Sequence, residues 1–197
     1  PSGVNARIRG LQSHEETVDR AERGRRVAVN LRGLEKNDVT RGDVLGLPGA
    51  WHPTTLIDAE LRYLPNAMRP LNHDDRVKVF TGASEVMGQV RLLDKEVVHP
   101  GENAWVQLRL ENPLVAAPHD RYIIRRPSPA ETIGGGLVLD TAPGRRWKRF
   151  KPDVIARLET LRDGDPADVV LLDLARQGPI LANDVALSDS AFDEAIN

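Results

Sequence analysis

Hydrophobic and polar residues alternate along most of the first 140 positions, and the alternation is clearest in residues 54–64. There Ile57, Ala59, Leu61 and Tyr63 share one face, and polar residues occupy most of the other. A period of two residues is the signature of a half-buried β-strand. The same pattern predicts further short strands over residues 6–11, 25–31, 43–47, 75–81, 84–93, 95–99, 105–110, 120–124 and 133–139. Because these strands are short and separated by frequent turns, we expect small antiparallel β-barrels and no βαβ units.

Prolines and glycines interrupt this pattern in residues 125–140. Pro127 and Pro129 have no amide hydrogen, so they are typical of a turn between two strands. The triplet Gly134–Gly136 lies in the next predicted strand, where glycine indicates a close backbone approach such as a barrel corner. Gly88 is a candidate β-bulge, because a glycine inside a predicted strand often marks one. The residues leave two readings open: a tight barrel hairpin, or a stiff polar loop that also contacts a sugar-phosphate chain.

Helical periodicity replaces the strand pattern after Pro152. Apolar residues recur at helical spacing to about Leu161, and Asp153 is a predicted N-cap. The pair Asp165 and Pro166 predicts the start of a second helix, which runs to about residue 176. Additional helical segments are predicted over residues 35–39, 180–187 and 188–196. Short helices joined by tight turns at the end of the chain are typical of the start of a winged-helix domain.

Composition narrows the class of protein. The 197 residues contain no cysteine, which excludes disulfides and thiolate zinc sites and favours a reducing compartment. No apolar run approaches the roughly 18 residues that a membrane span requires, and the first residues do not resemble a signal peptide. We therefore expect a cytoplasmic protein with no membrane partner, and an N-terminus typical of an internal boundary in a longer chain.

The formal net charge of −2 is unevenly distributed. Residues 153–197 hold ten acidic and three basic residues, a charge of −7, so residues 1–152 carry +5. A basic front part favours a polyanionic partner. We expect binding of a nucleic acid to this part to be weak and salt-dependent, because phosphate contacts release counterions.

Residues 141–152 concentrate much of this positive charge and contain no acidic residue. The four candidate RNA-binding residues are Arg145, Arg146, Lys148 and Arg149, with Trp147 and Phe150 between them. Cations bind phosphates and aromatic rings stack on bases, so the pattern suits an RNA-contacting hinge. A solvated basic linker remains the simpler alternative.

No catalytic constellation is evident in the sequence. The five histidines lack the spacing of a metal site, and a loop such as His73–Asp75 is typical of an ordinary polar surface. There is no nucleophile elbow, no phosphate loop and no dinucleotide-binding glycine motif. We expect a non-catalytic fragment that holds no metal or cofactor and does not bind GTP.

Three groups of motifs resemble the selenocysteine-specific translation elongation factors, a family of GTPases related to elongation factor Tu. Residues 125–136, Arg-Arg-Pro-Ser-Pro-Ala-Glu-Thr-Ile-Gly-Gly-Gly, resemble the end of the third domain of that family. Residues 100–103, 112–113 and 120–125 resemble other parts of the same domain, and residues 22–27, 31–34 and 41–45 resemble the second half of domain two. The resemblance implies four regions: an incomplete domain-two barrel (1–50), a complete domain-three barrel (51–140), a basic linker (141–152) and a partial winged-helix domain (153–197).

The resemblance also implies partners and contacts. Family members deliver selenocysteinyl-tRNA to the ribosome, with GTP and Mg²⁺ in an N-terminal domain and a messenger RNA hairpin bound by later winged helices. By the family motifs, Arg41 contacts the acceptor end of the tRNA. The expected T-stem contacts are Lys78, Met87, Asn112 and the loop 127–131, of which we single out Pro127, Ser128 and Glu131. Met87 and Asn112 depart from the threonine and lysine of elongation factor Tu, and the turn is one residue longer.

Two further expectations follow. The first helical domain acts as a spacer, because hairpin binding in the family belongs to later repeats, and the basic segment sets its angle. The alternative function is a winged-helix DNA-binding regulator with a β-barrel module. That alternative explains the helices but not the barrel motifs.

Overall fold

The structure, a computed structural model, describes residues 2–177. The predicted helices 180–187 and 188–196 lie outside the described residues. The strands are β1 (Arg7–Ser13), β2 (Glu16–Val18), β3 (Ala28–Arg32), β4 (Thr54–Tyr63), β5 (Leu71–Asn72), β6 (Asp75–Thr81), β7 (Ser84–Leu92), β8 (Val97–Val98), β9 (Asn103–Leu114), β10 (Arg121–Arg126) and β11 (Glu131–Asp140). The helices are α1 (Pro152–Asp163) and α2 (Pro166–Gln177), with a 3-10 turn at Lys36–Asp38.

Six strands close into an antiparallel barrel in the order β10-β11-β4-β9-β7-β6. This confirms the predicted mainly-β class. The predicted face of β4, from Ile57 to Tyr63, points into the core together with the alternate residues Val106, Leu108 and Leu110 of β9. A short β5–β8 ladder adds the buried Leu71 and Val98 to the same core. Alternation therefore identified the inner surface correctly, because a barrel strand buries every second residue.

The glycine triplet lies on β11, where the backbones of β10 and β4 leave no room for side chains. A Cβ on Gly134 would be 2.7 Å from the carbonyl oxygen of Arg62. A Cβ on Gly135 would collide with the carbonyl of Tyr122, and one on Gly136 with that of Glu60. The close approach predicted from the sequence is confirmed. Gly88 is different: β7 keeps a regular register with both neighbours, so the predicted bulge is wrong, and the residue is small because a Cβ would lie 2.8 Å from the Arg109 carbonyl oxygen.

The N-terminal residues form a separate three-stranded sheet in the order β2-β1-β3. The helical turn predicted over residues 35–39 is confirmed as the 3-10 turn. The strand predicted over residues 43–47 is wrong, since the segment has no ladder partner among the described residues. Instead the Asp43 carboxylate accepts from the amide of Thr40 at 2.9 Å, which closes a turn just before the segment.

Helix α1 packs on the outside of the barrel. It begins at Pro152 with Lys151 as the N-cap, so the N-cap role predicted for Asp153 is wrong, and Asp153 lies in the first turn. The prediction for α2 is confirmed, because the Asp165 carboxylate accepts from the Asp168 amide at 2.9 Å and the helix ends at Gln177. Below α1 lies a second hydrophobic core, made of Leu93, Trp105, Leu139, Val154 and Leu158.

Candidate nucleic-acid interface

One row of side chains crosses three strands of the barrel. Lys78 of β6 is paired with Arg125 of β10 on one side and with Met87 of β7 on the other. All three alternate with buried residues, so they point outward. Lys78 Nζ lies 2.7 Å from the carboxylate of Glu85. Arg125 Nε is buried and has no hydrogen-bond partner within residues 2–177. The strand register thus places Arg125, which was not predicted from the sequence, beside the predicted Lys78 and Met87.

Arg41 reaches the same surface through a contact between the N-terminal segment and the barrel. Ser84 Oγ at the start of β7 donates to the Gly42 carbonyl at 3.0 Å. The hydrogen bond from Lys78 lowers the pKa of Glu85, and the nearby charges of Arg41 and Arg125 lower it further. Three cations therefore surround a single carboxylate. We call Arg41, Lys78, Met87 and Arg125 the row face.

Asn112 lies close to this row. It is exposed and lies two residues after Leu110, which is the ladder partner of Gly88, the residue next to Met87 on β7. Between them Arg76 forms a two-pronged ion pair with Glu111, with nitrogen–oxygen distances of 2.9 and 3.1 Å. Asn112 is thus an uncharged residue beside a surface where the cations Arg76 and Lys78 are paired with Glu111 and Glu85.

The turn 127–130 is held from beneath by Arg126. This arginine is only 3% exposed, and its Nη2 donates to the Tyr63 hydroxyl at 2.7 Å and to the carbonyls of Arg69 and Pro70 at 2.9 and 3.0 Å. The bonds fix the turn beside the loop 64–70. Pro127 and Ser128 remain exposed at the outer surface.

Glu131 has a different environment from the rest of the turn. Its Oε1 accepts from the Met68 amide at 2.8 Å, and its Oε2 lies 3.5 Å from Arg126 Nε. The carboxylate therefore points inward, toward the loop 64–70, and the carbonyl of the exposed Arg69 in that loop accepts from Arg126. Arg69 is a second cation that sequence reasoning missed, since only the fold brings this loop beside the turn.

Comparisons with known proteins match this barrel. A family model described as "Selenocysteine-specific elongation factor, beta-barrel domain" matches residues 58–145. A selenocysteine-specific elongation factor from Desulfomicrobium baculatum is 35% identical over 178 residues, which cover 90% of this chain. The chain belongs to the selenocysteine-specific elongation factor family. The factor of the same name from Escherichia coli is 31% identical over 92% of the chain, and elongation factor 1-alpha of Saccharolobus solfataricus is 27% identical over 74%.

The chain spans 28% of the length of the two selenocysteine-specific factors and 38% of elongation factor 1-alpha. None of these three relatives is a DNA-binding regulator, so the alternative function receives no support from them.

No helix in residues 2–177 is long and apolar enough to cross a membrane. The same residues contain no group of three or more potential metal ligands. His73, one of the histidines considered above, uses its Nδ1 to accept a hydrogen bond from the Leu92 amide at 3.1 Å.

The basic segment 141–151, which we call the strap, lies along β7 and β9. Arg149 donates to the carbonyls of Leu92 and Lys95 at 3.0 and 2.8 Å and to the Glu96 carboxylate at 2.9 Å. The Phe150 amide donates to the Leu93 carbonyl at 2.6 Å. The strap is consequently fixed to the barrel and is not the solvated linker considered above. Arg145, Arg146 and Lys148 remain exposed on its outer side.

Two buried carboxylates lie where the strap, α1 and the barrel meet. Asp58 of β4 is 0% exposed; its oxygens accept from Trp147 Nε1 at 2.6 Å and from Gln107 Nε2 at 2.8 Å. Arg157 of α1 is within 3.4 Å of Asp58 and forms an ion pair with Asp140 of β11. Burial raises the pKa of Asp58 to about 6, and the indole and amide donors oppose that rise.

This buried cluster was not predicted. Its one sequence signal is a pair of acidic residues, Asp58 and Glu60, on the second face of the clearest strand. Such residues are normally solvent-exposed. Here α1 covers them, so β4 is buried on both faces. The cluster around Asp58 therefore attaches both the strap and α1 to the barrel. The packing of α1 on the second core sets the orientation of this helix.

Proposed function

We propose that this chain is the tRNA-binding and scaffold part of a cytoplasmic selenocysteine-specific elongation factor. The observation that carries the proposal is the register of β10, β6 and β7, which aligns Arg125, Lys78 and Met87 beside Arg41. Phosphate contacts supply most of the affinity of a protein for RNA, and a row of cations on rigid strands suits a duplex backbone.

The position of each residue supports the role that it has in this proposal. Arg41 contacts the acceptor end of selenocysteinyl-tRNA, while Lys78, Arg125 and the exposed Arg69 contact phosphates of the T stem. Met87, Asn112, Pro127 and Ser128 contribute shape and hydrogen bonds at the edges of that contact. Glu131 acts with Arg126 to hold the turn. Binding of GTP with Mg²⁺, contact with the ribosome and binding of the messenger RNA hairpin belong, in this proposal, to parts of the factor other than these 197 residues.

The test is a titration of the 197-residue protein with a labelled tRNA. The double variant Arg41→Glu/Lys78→Glu is compared with Arg20→Glu/Arg23→Glu, which makes the same charge change at exposed residues between β2 and β3. We expect the row-face variant to bind at least about tenfold more weakly and to reduce the salt slope by about two. The control is expected to lose little affinity.

Equal losses in the two double variants would show that only net charge matters and would contradict the proposal. An affinity that does not change between roughly 50 and 200 mM salt would contradict the backbone-contact mechanism itself.

A further inference from the structure

A second group of cations lies on the other side of β7. Arg91 of β7 is the ladder partner of Gln107, and Gln89 is the partner of Arg109 on β9, so the two arginines are diagonal neighbours on the outer surface. Arg91 Nη1 donates to Gln107 Oε1 at 3.0 Å, and its Nη2 donates to the Trp147 carbonyl at 3.2 Å. The strap is thus held directly above this pair of strands.

The strap adds its own cations at this point. Arg146 and Lys148 flank Trp147 and are exposed, and Arg149 is anchored to the end of β7. We call the five residues Arg91, Arg109, Arg146, Lys148 and Arg149 the strap cluster. Arg91 is more than 50 residues away in sequence from the three strap residues, and only the fold brings them together.

The nearby acidic residues neutralise only one member of the cluster, Arg149. Glu96 is paired with Arg149, Glu111 with Arg76, and Asp74 lies 3.5 Å from the ring of His73. Among the described residues, no ion pair involves Arg91, Arg109, Arg146 or Lys148. Gathering like charges without counterions raises the electrostatic free energy of the protein, and an anionic partner would lower it.

The environment of Arg91 supports this picture. Burial lowers the pKa of its guanidinium, the charges of Arg146, Arg149 and Arg109 lower it further, and Asp74 acts in the opposite direction. Its Nε is buried and has no hydrogen-bond partner among the residues that the structure describes. The cationic residues therefore lie close enough to repel one another.

We propose that the strap cluster is a second RNA-binding surface, which takes the phosphate backbone of a structured RNA segment other than the one on the row face. The two surfaces are distinct because Arg91 lies four residues along β7 from Met87, about 13 Å at the rise of a strand, and the cluster continues onto β9 and the strap.

Aromatic residues favour RNA over an acidic protein as the partner. The guanidinium of Arg145 lies 4.9 Å from the centre of the Trp147 ring, and that of Arg149 lies 4.7 Å from the Phe150 ring. Phe150 is 47% exposed beside these cations. Planar guanidinium groups bind phosphate with two hydrogen bonds, and an exposed ring beside them can stack on an unpaired base.

The experiment uses the 197-residue protein and two labelled probes, a tRNA and a mixed-sequence RNA hairpin with a single-stranded tail. Hairpin binding is measured with and without saturating unlabelled tRNA, in the wild type and in Arg109→Glu/Arg146→Glu. Both residues are exposed, and thermal unfolding checks that each variant folds. The row-face variant Arg41→Glu/Lys78→Glu and the control Arg20→Glu/Arg23→Glu complete the set.

We expect the hairpin to bind the wild type in the presence of saturating tRNA, and Arg109→Glu/Arg146→Glu to weaken hairpin binding at least about tenfold while tRNA binding changes less than about threefold. The inference is overturned if tRNA displaces the hairpin completely, or if the strap-cluster variant behaves like the control. It is also overturned if polyglutamate competes as well as unlabelled hairpin at equal charge, which would indicate an acidic protein partner. Loss of tRNA binding in the row-face variant is a separate outcome that tests the proposed function alone.

Discussion

Gly136 is a position where the barrel has no room for a side chain. Its backbone faces the carbonyl oxygen of Glu60 on β4, and any Cβ would collide with that oxygen. Because backbone atoms of a paired strand cannot move aside cheaply, the strands would have to separate. The glycine is required by close packing, and phosphate binding is not needed to explain it.

We therefore predict that Gly136→Ala destabilises the protein by roughly 3 kcal/mol or more, at or above the upper end of what overpacking usually costs. Gly10→Ala in β1 is the matched control, because no atom lies within 4 Å of its Cβ position. Chemical denaturation of both variants gives the comparison. A similar free energy of unfolding for the two alanine variants would contradict the packing explanation.

Asp58 carries a carboxyl group whose ionisation is altered by the fold. Its pKa is raised from 3.8 to about 6, so between these values the folded protein binds a proton that the unfolded chain has released. Stability from this group consequently rises as the pH falls from about 6 to 4, which is opposite to the behaviour of an exposed, paired carboxylate.

The expected result concerns the difference between wild type and Asp58→Asn. The wild type should gain stability relative to the variant as the pH is lowered from 7 to 4.5, and the change should be concentrated below about pH 6. Urea denaturation at several pH values measures it. A difference that stays constant over this range would mean that Asp58 titrates normally in the folded protein.

At the scale of elements, Arg157 connects α1 to two strands. Its guanidinium faces Asp58 of β4 and Asp140 of β11 while the apolar side of the helix covers the second core. Removing one member of a buried ion pair leaves the other charge without compensation. The helix is therefore attached by both charge and apolar packing.

We predict that Arg157→Met lowers stability by roughly 3–5 kcal/mol and increases amide hydrogen exchange in α1 and the strap. The control is Arg162→Met on the same helix, where the pair with Asp163 is partly exposed and its loss should cost about 1 kcal/mol or less. If exchange in the strap is unchanged by Arg157→Met, the strap is held by its own contacts and not by the helix.

At the scale of the whole molecule, positive charge is concentrated in one part of the chain, and the sequence has no motif for nucleotide binding. The basic residues collect on the barrel and strap, while residues 153–197 are acidic, and the sequence contains no phosphate loop. We therefore expect no heat of binding when GTP with Mg²⁺ is titrated into the 197-residue protein. Micromolar affinity in that calorimetric experiment would require a nucleotide site of another kind and would contradict the assignment of GTP to other parts of the factor.

Several features of this protein were determined by the sequence alone. The barrel strands were predicted within about two residues for β4, β6 and β7, because alternation, proline and glycine act locally on the backbone. The same local signals identified the turn 127–130 and the start of α2. Family motifs identified Arg41, Lys78 and Met87 as candidate contacts, since each lies in a recognisable local pattern.

Other features were decided only by the tertiary structure. The alignment of Arg125 with Lys78 depends on ladder register, and the burial of Asp58 depends on a helix that begins almost 100 residues later. Residues 43–47 have an alternating pattern but no partner strand within residues 2–177, so their pattern forms no ladder there. Glu131 points inward because Arg126 and the loop 64–70 lie beneath it. Long-range pairing, and not local propensity, determines which polar residues face solvent and which are buried.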